Sequence, residues 1–371
     1  MKAYHGLISA YNVTPGLREL VSARIAASLP FCSRYRLVDF SLSSMKNAGI
    51  VNVGVIPQRD YQSLLDHIGS GKIWDMSRRS GGLRMLPPFG LPEYHRGDYS
   101  GTMEALNAVA SYVRDIKEDS VVIMRGNLCA NVDLNKAIEV FEKSGAEITA
   151  VVSPNYNPAD IHHRFIVGED GFVEDIDYNR TGEGRGLASL EVYIIKKATL
   201  LDMMDYCASR NLHNFHRDAL AHFFAEGGKV SCYVHEGYAT IIKTVDEYFK
   251  TSMDMLDSGI RHDVFNASRP VLAKPTARVS AFYSDLSCVK NSLVADGCVI
   301  EGELENCIVF AGAHIRKGAK LKNCIIFRGC DVGENACLSN VIADKYVVVS
   351  PETSLVGNEK LPVVIPKGSK I

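Results

Sequence analysis

The run Val309-Phe310-Ala311-Gly312-Ala313-His314-Ile315-Arg316-Lys317-Gly318-Ala319-Lys320-Leu321-Lys322-Asn323-Cys324-Ile325-Ile326-Phe327-Arg328-Gly329-Cys330-Asp331-Val332 sets Val309, Ile315, Leu321 and Phe327 six residues apart. Ile326, Val332 and Leu338 repeat the interval in a neighbouring register, and Gly297, Gly302, Gly312, Gly318, Gly329 and Gly333 interleave with them. A six-residue apolar period with glycines and small residues marks a hexapeptide β-helix, whose coils each stack three short strands around a narrow interior. An ordinary antiparallel β-domain predicts period two without that recurrence. Six of the ten cysteines (Cys288, Cys298, Cys307, Cys324, Cys330 and Cys337) crowd this last quarter. A reduced thiol is small and apolar enough for the inward positions. No Cys-x-x-Cys pair with histidine partners occurs, so a structural zinc site is not expected, nor is a disulfide framework.

Upstream of the solenoid the pattern is different. Apolar runs at His5–Ser9, Val51–Ile56, Ser120–Met124, Glu147–Val152, Ala188–Ile195 and Val230–Val234 read as strands. Amphipathic segments at Phe40–Ala48, Tyr61–Ile68, Thr102–Ile116, Asn131–Lys143, Lys197–Ala208 and Val245–Leu256 read as helices. Strands alternating with helices imply βαβ units and a mainly parallel sheet. Ligands of such sheets bind at the carboxyl ends of the strands, so the loops after Ser9, Met124 and Val234 are the places to look for chemistry. Residues 258–275 carry Gly, Pro, Asn and Ser without periodicity and read as a connector. The expected organisation is therefore an α/β domain over 1–257, a connector over 258–275 and the solenoid over 276–371.

Composition sets the outer limits. The 371 residues are 46% hydrophobic and 23% charged, with 41 Lys and Arg against 43 Asp and Glu, for a formal net charge of −2. This balance offers no clustered basic surface for nucleic acid. No apolar run is long enough to span a bilayer, and the N-terminus lacks the apolar core of a signal peptide, so a cytoplasmic location is expected.

Particular residues then carry a resemblance. Leu29-Pro30-Phe31-Cys32-Ser33-Arg34-Tyr35-Arg36-Leu37-Val38-Asp39-Phe40-Ser41-Leu42-Ser43 resembles the P-F-x-x-[KR]-Y-R-[LI]-[IV]-D-F-x-L-S segment of ADP-glucose pyrophosphorylases, and Asn47-Ala48-Gly49-Ile50 extends it. Gly101-Thr102-Met103-Glu104-Ala105 is similar to their G-T-A-[DE]-A segment, and Leu187-Ala188-Ser189-Leu190-Glu191-Val192-Tyr193 to L-A-S-M-G-[IV]-Y. The resemblance covers the chain in order. It implies a Rossmann-like nucleotidyltransferase domain followed by a left-handed hexapeptide β-helix. It also implies the joining of ATP and glucose 1-phosphate into ADP-glucose with release of pyrophosphate. Such chemistry needs backbone N–H groups, a cation and a divalent metal to neutralise the transferring phosphoryl group, with carboxylates to hold the metal.

Measured against that pattern, the chain departs at each chemical position. The glycine loop G-G-x-G-T-R-L corresponds to Ser9-Ala10-Tyr11-Asn12-Val13-Thr14-Pro15-Gly16-Leu17-Arg18, which has one glycine and a proline lacking an N–H. Arg18 there reads as a surface charge, the alternative being a substitute phosphate contact. The R-A-K-P segment becomes Arg24-Ile25-Ala26-Ala27, keeping Arg24 but placing Ala26 at the lysine. The S-G-D segment becomes Arg125-Gly126-Asn127. In G-Y-W-x-D-V-G the aspartate position is Ile241, followed by Ile242 and Lys243. The E-K-P segment corresponds to Tyr178-Asn179-Arg180, and in F-G-V the glycine is Ile166. No catalytic residue is thus expected intact: Ala26, Asn127 and Ile241 are degenerate positions. Arg24, Gly101, Thr102, Glu104, Ser189 and Arg180 are the expected substrate-binding remnants, and Ser189 reads equally well as a strand serine satisfied by backbone. No metal ligand set and no cofactor are expected, Mg²⁺ entering only with residual activity.

Three other groups read as structural. His162-His163, His213, His216 and His222 lack a metal-ligand frame and are expected as solvated loop histidines. Arg78, Arg79 and Arg84 with Gly81-Gly82 form a polar loop. His314 invites comparison with hexapeptide acyltransferases, but a lone solenoid histidine is more often structural.

The chain most resembles regulatory subunits of this family. The resemblance implies an active paralogous subunit as partner in a heterotetramer, a homodimer or homotetramer for the chain alone, and a sugar-phosphate effector. Two alternatives stand beside it. One is an active enzyme with a rearranged metal site drawing on Asp133 or Asp246; the other is a sugar-phosphate or nucleotide sensor without an enzyme partner.

Overall fold

The computed structural model describes residues 3–11, 14–87, 99–156, 163–178, 185–275 and 277–371. These fall into two compact units. The first comprises the described parts of Met1–Val13, Val38–Ile241 and Val264–Leu272; the second comprises those of Thr14–Leu37, Ile242–Asp263 and Ala273–Ile371. Compaction thus follows three segments per unit, where the sequence suggested one cut near residue 257. The expected connector also contains a helix, Ser258–Val264.

The first unit is built on a nine-stranded sheet. Strand Tyr4–Ala10 is buried along its whole length, as expected for a strand covered on both faces. It runs parallel to Val53–Pro57 on one side and to Ser120–Arg125 on the other. Leu83–Met85 adds parallel to Val53–Pro57, and Val230–Val234 pairs parallel with Ile148–Ser153. The ten-residue strand Leu187–Lys196 is antiparallel to Ser120–Arg125, Ile148–Ser153 and Arg164–Val167, so the sheet is parallel at its centre and mixed beyond it. Leu7, Val121, Ile123, Val152 and Ile195 pack one face against Met103, Leu106, Met204 and Leu220. Local chemistry ends the helices where it should. Asp133 caps Leu134–Ser144 by accepting from the Lys136 N–H, and Gly145 stops it at φ 69°, a conformation open to glycine. The expected helix Thr102–Ile116 breaks into Thr102–Ala108 and Ala110–Arg114 at Val109, whose φ and ψ are −112° and 25°.

The second unit contains the solenoid, three five-stranded parallel sheets. Leu304 pairs with Leu321 and Leu321 with Leu338, so these coils take 17 residues each. Inward residues advance in steps of six, six and five, from Val309 to Ile315, Leu321 and Ile326, all of them buried. The shortened third step makes Ile326 the inward residue. Phe327 instead packs outside the coil against Phe310 and Tyr248. Cys298, Cys307, Cys324 and Cys330 fill the interior, whereas Cys288 and Cys337 are exposed, contrary to expectation; none of the ten cysteines is in a disulfide. At one corner Asn291, Asn306, Asn323 and Asn340 adopt φ between 43° and 53°, which asparagine tolerates better than most residues. Their amides form a ladder with Nδ2-to-Oδ1 distances of 2.8, 3.2 and 3.1 Å. His314 bonds Glu301 at 2.9 Å, a structural role.

Candidate functional site

The central strand has its sequence neighbours in the sheet on opposite sides, Val53–Pro57 on one and Ser120–Arg125 on the other. This is the switch in strand order at which open α/β sheets bind ligands. The carboxyl ends meet there: Ser9 pairs with Arg125, and the Gly126 N–H donates to the Ser9 carbonyl at 2.8 Å. A cavity opens at this edge, lined by Ser9, Tyr11, Thr102, Arg125, Glu191 and Tyr193, with further walls from Ile123, Phe215 and His216. Its free space is about 20 Å³, room for about one water.

Side chains fill the rest. Arg125 Nη1 donates to Glu191 Oε1 at 2.6 Å, and the two side chains are 8% and 17% exposed. Behind them Ser189 Oγ and Tyr193 OH are 2.9 Å apart, Tyr193 OH lies 2.6 Å from His216 Nε2, and the Glu191 N–H donates to Ser189 Oγ. The His163 ring lies over His216 with centroids 3.6 Å apart. Burial pushes the Tyr11 phenol up to about 12 and Tyr193 well above its ordinary value, with the Glu191 carboxylate adding to the latter. Both phenols are therefore neutral at pH 7. His216 is buried in this network, which corrects the expectation of a solvated loop histidine. His222 likewise stacks on Tyr206, centroids 3.6 Å apart. His162 lies outside the described residues.

The two positions that would carry metal aspartates are brought together. Ile241 is the cross-strand partner of Leu128, the residue after Asn127, in the short antiparallel pair Leu128–Ala130 and Ala239–Ile241. Asn127 and Ile241 are both buried. A carboxamide and an aliphatic chain do not fit Mg²⁺, which takes hard and usually anionic oxygens. Among the described residues no group of three or more His, Cys, Asp or Glu is placed to hold a metal ion. Asp133 already caps its helix and pairs with Arg269 at 3.2 Å. Asp246 is exposed in the first turn of helix Val245–Asp254.

The expected substrate remnants have structural partners. Gly101 begins helix Thr102–Ala108 where a Cβ would strike the His213 carbonyl, so glycine is needed for close approach. Glu104 accepts from the Ser100 N–H at 2.6 Å, steadying the same helix start. Thr102 lines the cavity and Ser189 is wholly buried. Arg180 lies outside the described residues.

Arg24 and Ala26 belong to the second unit. Arg24 Nη2 donates to both carboxylate oxygens of the solenoid residue Asp344, at 2.9 and 2.8 Å, with side chains 3% and 1% exposed. Its guanidinium carbon also sits 6.0 Å from the Phe327 ring centroid. Ala26 is buried in a one-turn helix, Ala26–Ser28. Arg18 is exposed at a kink within the 3₁₀ segment Pro15–Val21, as a surface charge would be. Beside Asp344, Lys345 is pushed down to about 8 by burial and by the nearby Arg36, Arg24 and Lys367 cations.

Arg125 and Glu191 are the residues at this edge that sequence reasoning missed. The signal was present, since each departs from the family segment it lies in, Arg125 from a serine and Glu191 from a glycine. Only the fold puts the two departures in contact.

The profile of the nucleotidyl transferase family matches residues 16–257, and that of the GlmU-like C-terminal hexapeptide matches residues 275–361. The glycogen biosynthesis protein GlgD of Bacillus subtilis is 34% identical over 98% of this chain and 95% of its own length. The glucose-1-phosphate adenylyltransferase of Geobacillus stearothermophilus is 29% identical over 82% of this chain and 79% of its own. The enzyme of the same name from Halalkalibacterium halodurans is 28% identical over 84% and 82%.

Proposed function

The chain belongs to the nucleotidyl transferase family, and from that premise we propose that it is a regulatory subunit of glucose-1-phosphate adenylyltransferase in glycogen biosynthesis, with little or no activity of its own. The observation that carries this reading is the pairing of Ile241 with Leu128, which brings Ile241 beside the neighbouring Asn127 at a buried place where neither side chain supplies a carboxylate for Mg²⁺. Phosphoryl transfer depends almost wholly on positioning and charge neutralisation, so losing the metal's hold removes most of the catalytic means. An active enzyme with a rearranged site would need Asp133, which is committed to its helix cap and to Arg269.

The partner is an active paralogous subunit, in a heterotetramer, and the chain acts on it through shared interfaces in the cytoplasm. A homodimer or homotetramer is the assembly of the chain alone. A sugar-phosphate effector fits the cations around Lys345, since that lysine, held down to about 8 first by burial and then by Arg36, Arg24 and Lys367, gains from an incoming anion. The described residues contain no helix long and apolar enough to cross a membrane.

The test is an assay of Mg²⁺-dependent ADP-glucose synthesis with the chain alone, the active paralogue alone and the mixture. The chain alone is expected to be silent, and the mixture to differ from the paralogue in rate and in effector response. Robust synthesis by the chain alone overturns the proposal.

A further inference from the structure

The ion pair at the carboxyl edge of the sheet is not required by the loss of metal ligands. Strand Leu187–Lys196 slips register against Ile148–Ser153 between Ser189 and Val192, and within this bulge Glu191 adopts a φ of 53°. A bulge residue in the left-handed region is ordinarily glycine, because a Cβ is strained there. The resembling segment L-A-S-M-G-[IV]-Y has glycine at this place. A bulge re-aims the side chain it carries, and here the Glu191 carboxylate meets Arg125 Nη1 at 2.6 Å. Arg125 stands where S-G-D has a small serine, at the end of the strand beside Ser9. Two departures 66 residues apart, one adding a cation and one adding an anion, therefore meet as one buried pair.

We propose that Arg125 and Glu191 form a plug that keeps organic phosphates out of this chain's own crevice. The exclusion has two parts. Arg125 occupies volume at the switch point and leaves a space for about one water. Glu191 supplies a fixed negative charge where a phosphate would arrive. The buried Glu191 carboxylate already holds Arg125 Nη1 and offsets the guanidinium charge, and it repels an incoming anion. The strained backbone at Glu191 follows from this arrangement, since the anion is placed where geometry alone favours glycine. The plug deepens the regulatory proposal, because it makes the crevice closed to substrate as well as unable to act on it.

Equilibrium dialysis of the full chain tests the plug, with labelled glucose 1-phosphate in one arm and labelled ATP in the other. The double variant Arg125→Ser with Glu191→Gly is expected to gain one site per chain that the wild type lacks, at least tenfold tighter than any wild-type binding. A gain for glucose 1-phosphate alone identifies the excluded group as a sugar phosphate, and a gain for ATP alone as a nucleotide. Equal stoichiometry and affinity in wild type and variant, for both ligands, overturns the plug. Should the double variant fail to fold, Glu191→Gln keeps the shape and removes the charge. A weaker gained site then supports the plug, and unchanged binding overturns it. The same wild-type preparation is mixed with the active paralogue, so failure of the regulatory reading appears as an unaltered rate, separately from the binding result.

Discussion

Two buried arginines in this chain each meet a carboxylate, and the settings differ. Arg24 and Asp344 join the segment Thr14–Leu37 to the solenoid with both carboxylate oxygens engaged, and Asp344 also accepts the Lys345 N–H at 2.6 Å. Neither residue sits in a strained conformation. Arg125 and Glu191 meet through Nη1 and Oε1 at the mouth of a crevice, with Glu191 at positive φ; among the described residues Arg24 Nη1 and Arg125 Nε are each buried without a hydrogen-bond partner, so the backbone is what separates the two pairs. A pair held through both carboxylate oxygens on unstrained backbone is scaffolding. A pair that tolerates strain at a ligand-binding edge is standing in for something else there.

The largest expected effect lies with the first pair. Arg24→Ala leaves Asp344 charged and unpaired in the interior, and urea unfolding should register a loss of about 3–5 kcal/mol. A double replacement by apolar residues of similar size should recover most of it. If Arg24→Ala costs less than Glu191→Gly, the contrast between the pairs collapses. Glu191→Gly strands Arg125 but releases the left-handed strain, worth about 1 kcal/mol, so a net loss of about 1–3 kcal/mol is expected. Adding Arg125→Ser should return stability towards wild type, a coupling read from the four-membered cycle.

A smaller effect concerns the surroundings of Asp344. Lys345 loses its proton near 8 in the folded chain, against an ordinary value of 10.5. Below 8 both folded and unfolded states are protonated, and the folded state bears in full the cost of burying the charge and of the neighbouring cations. Between 8 and 10.5 the unfolded chain binds more protons, so this cost is released as pH rises. Lys345→Met should therefore be more stable than wild type by about 1–2 kcal/mol at pH 7, after allowance for solvent screening. That advantage should fade by pH 10 in parallel thermal melts. The smallest change is expected from Ser189→Ala, which removes one buried hydroxyl from the Tyr193 network. It should cost about 1 kcal/mol and leave the chain's effect on its partner unaltered. A large loss of that effect would make Ser189 more than packing.

The sequence was most informative where physics is periodic. Strand Val230–Val234 and the buried strands Tyr4–Ala10 and Ser120–Arg125 follow from short, mainly apolar runs. The solenoid follows from its spacing, although the five-residue step that turns Phe327 outward and Ile326 inward is invisible in a period of six. Arg164–Val167 was legible only through the resembling F-G-V strand, and Val173–Asp177 was missed because Glu174, Asp175 and Asp177 interrupt its apolar residues. At the site, Asn127 and Ile241 were legible singly from chemistry alone. Arg24 was legible as retained, but not as the partner of a carboxylate 320 residues away. The same limit hid the Arg125–Glu191 contact and the burial of His216, since non-local pairing leaves no local trace.

The threading of the chain has a consequence for heredity. It passes between the two compact units five times, at 13/14, 37/38, 241/242, 263/264 and 272/273. A recombination event with a relative, joined at any single point between Arg24 and Asp344, would take one member of that buried pair from each parent. Such a hybrid would fold well only if both parents kept matching charges there. Viable exchanges should therefore replace the segments of a unit together, and the arginine and aspartate should travel through descent as one character.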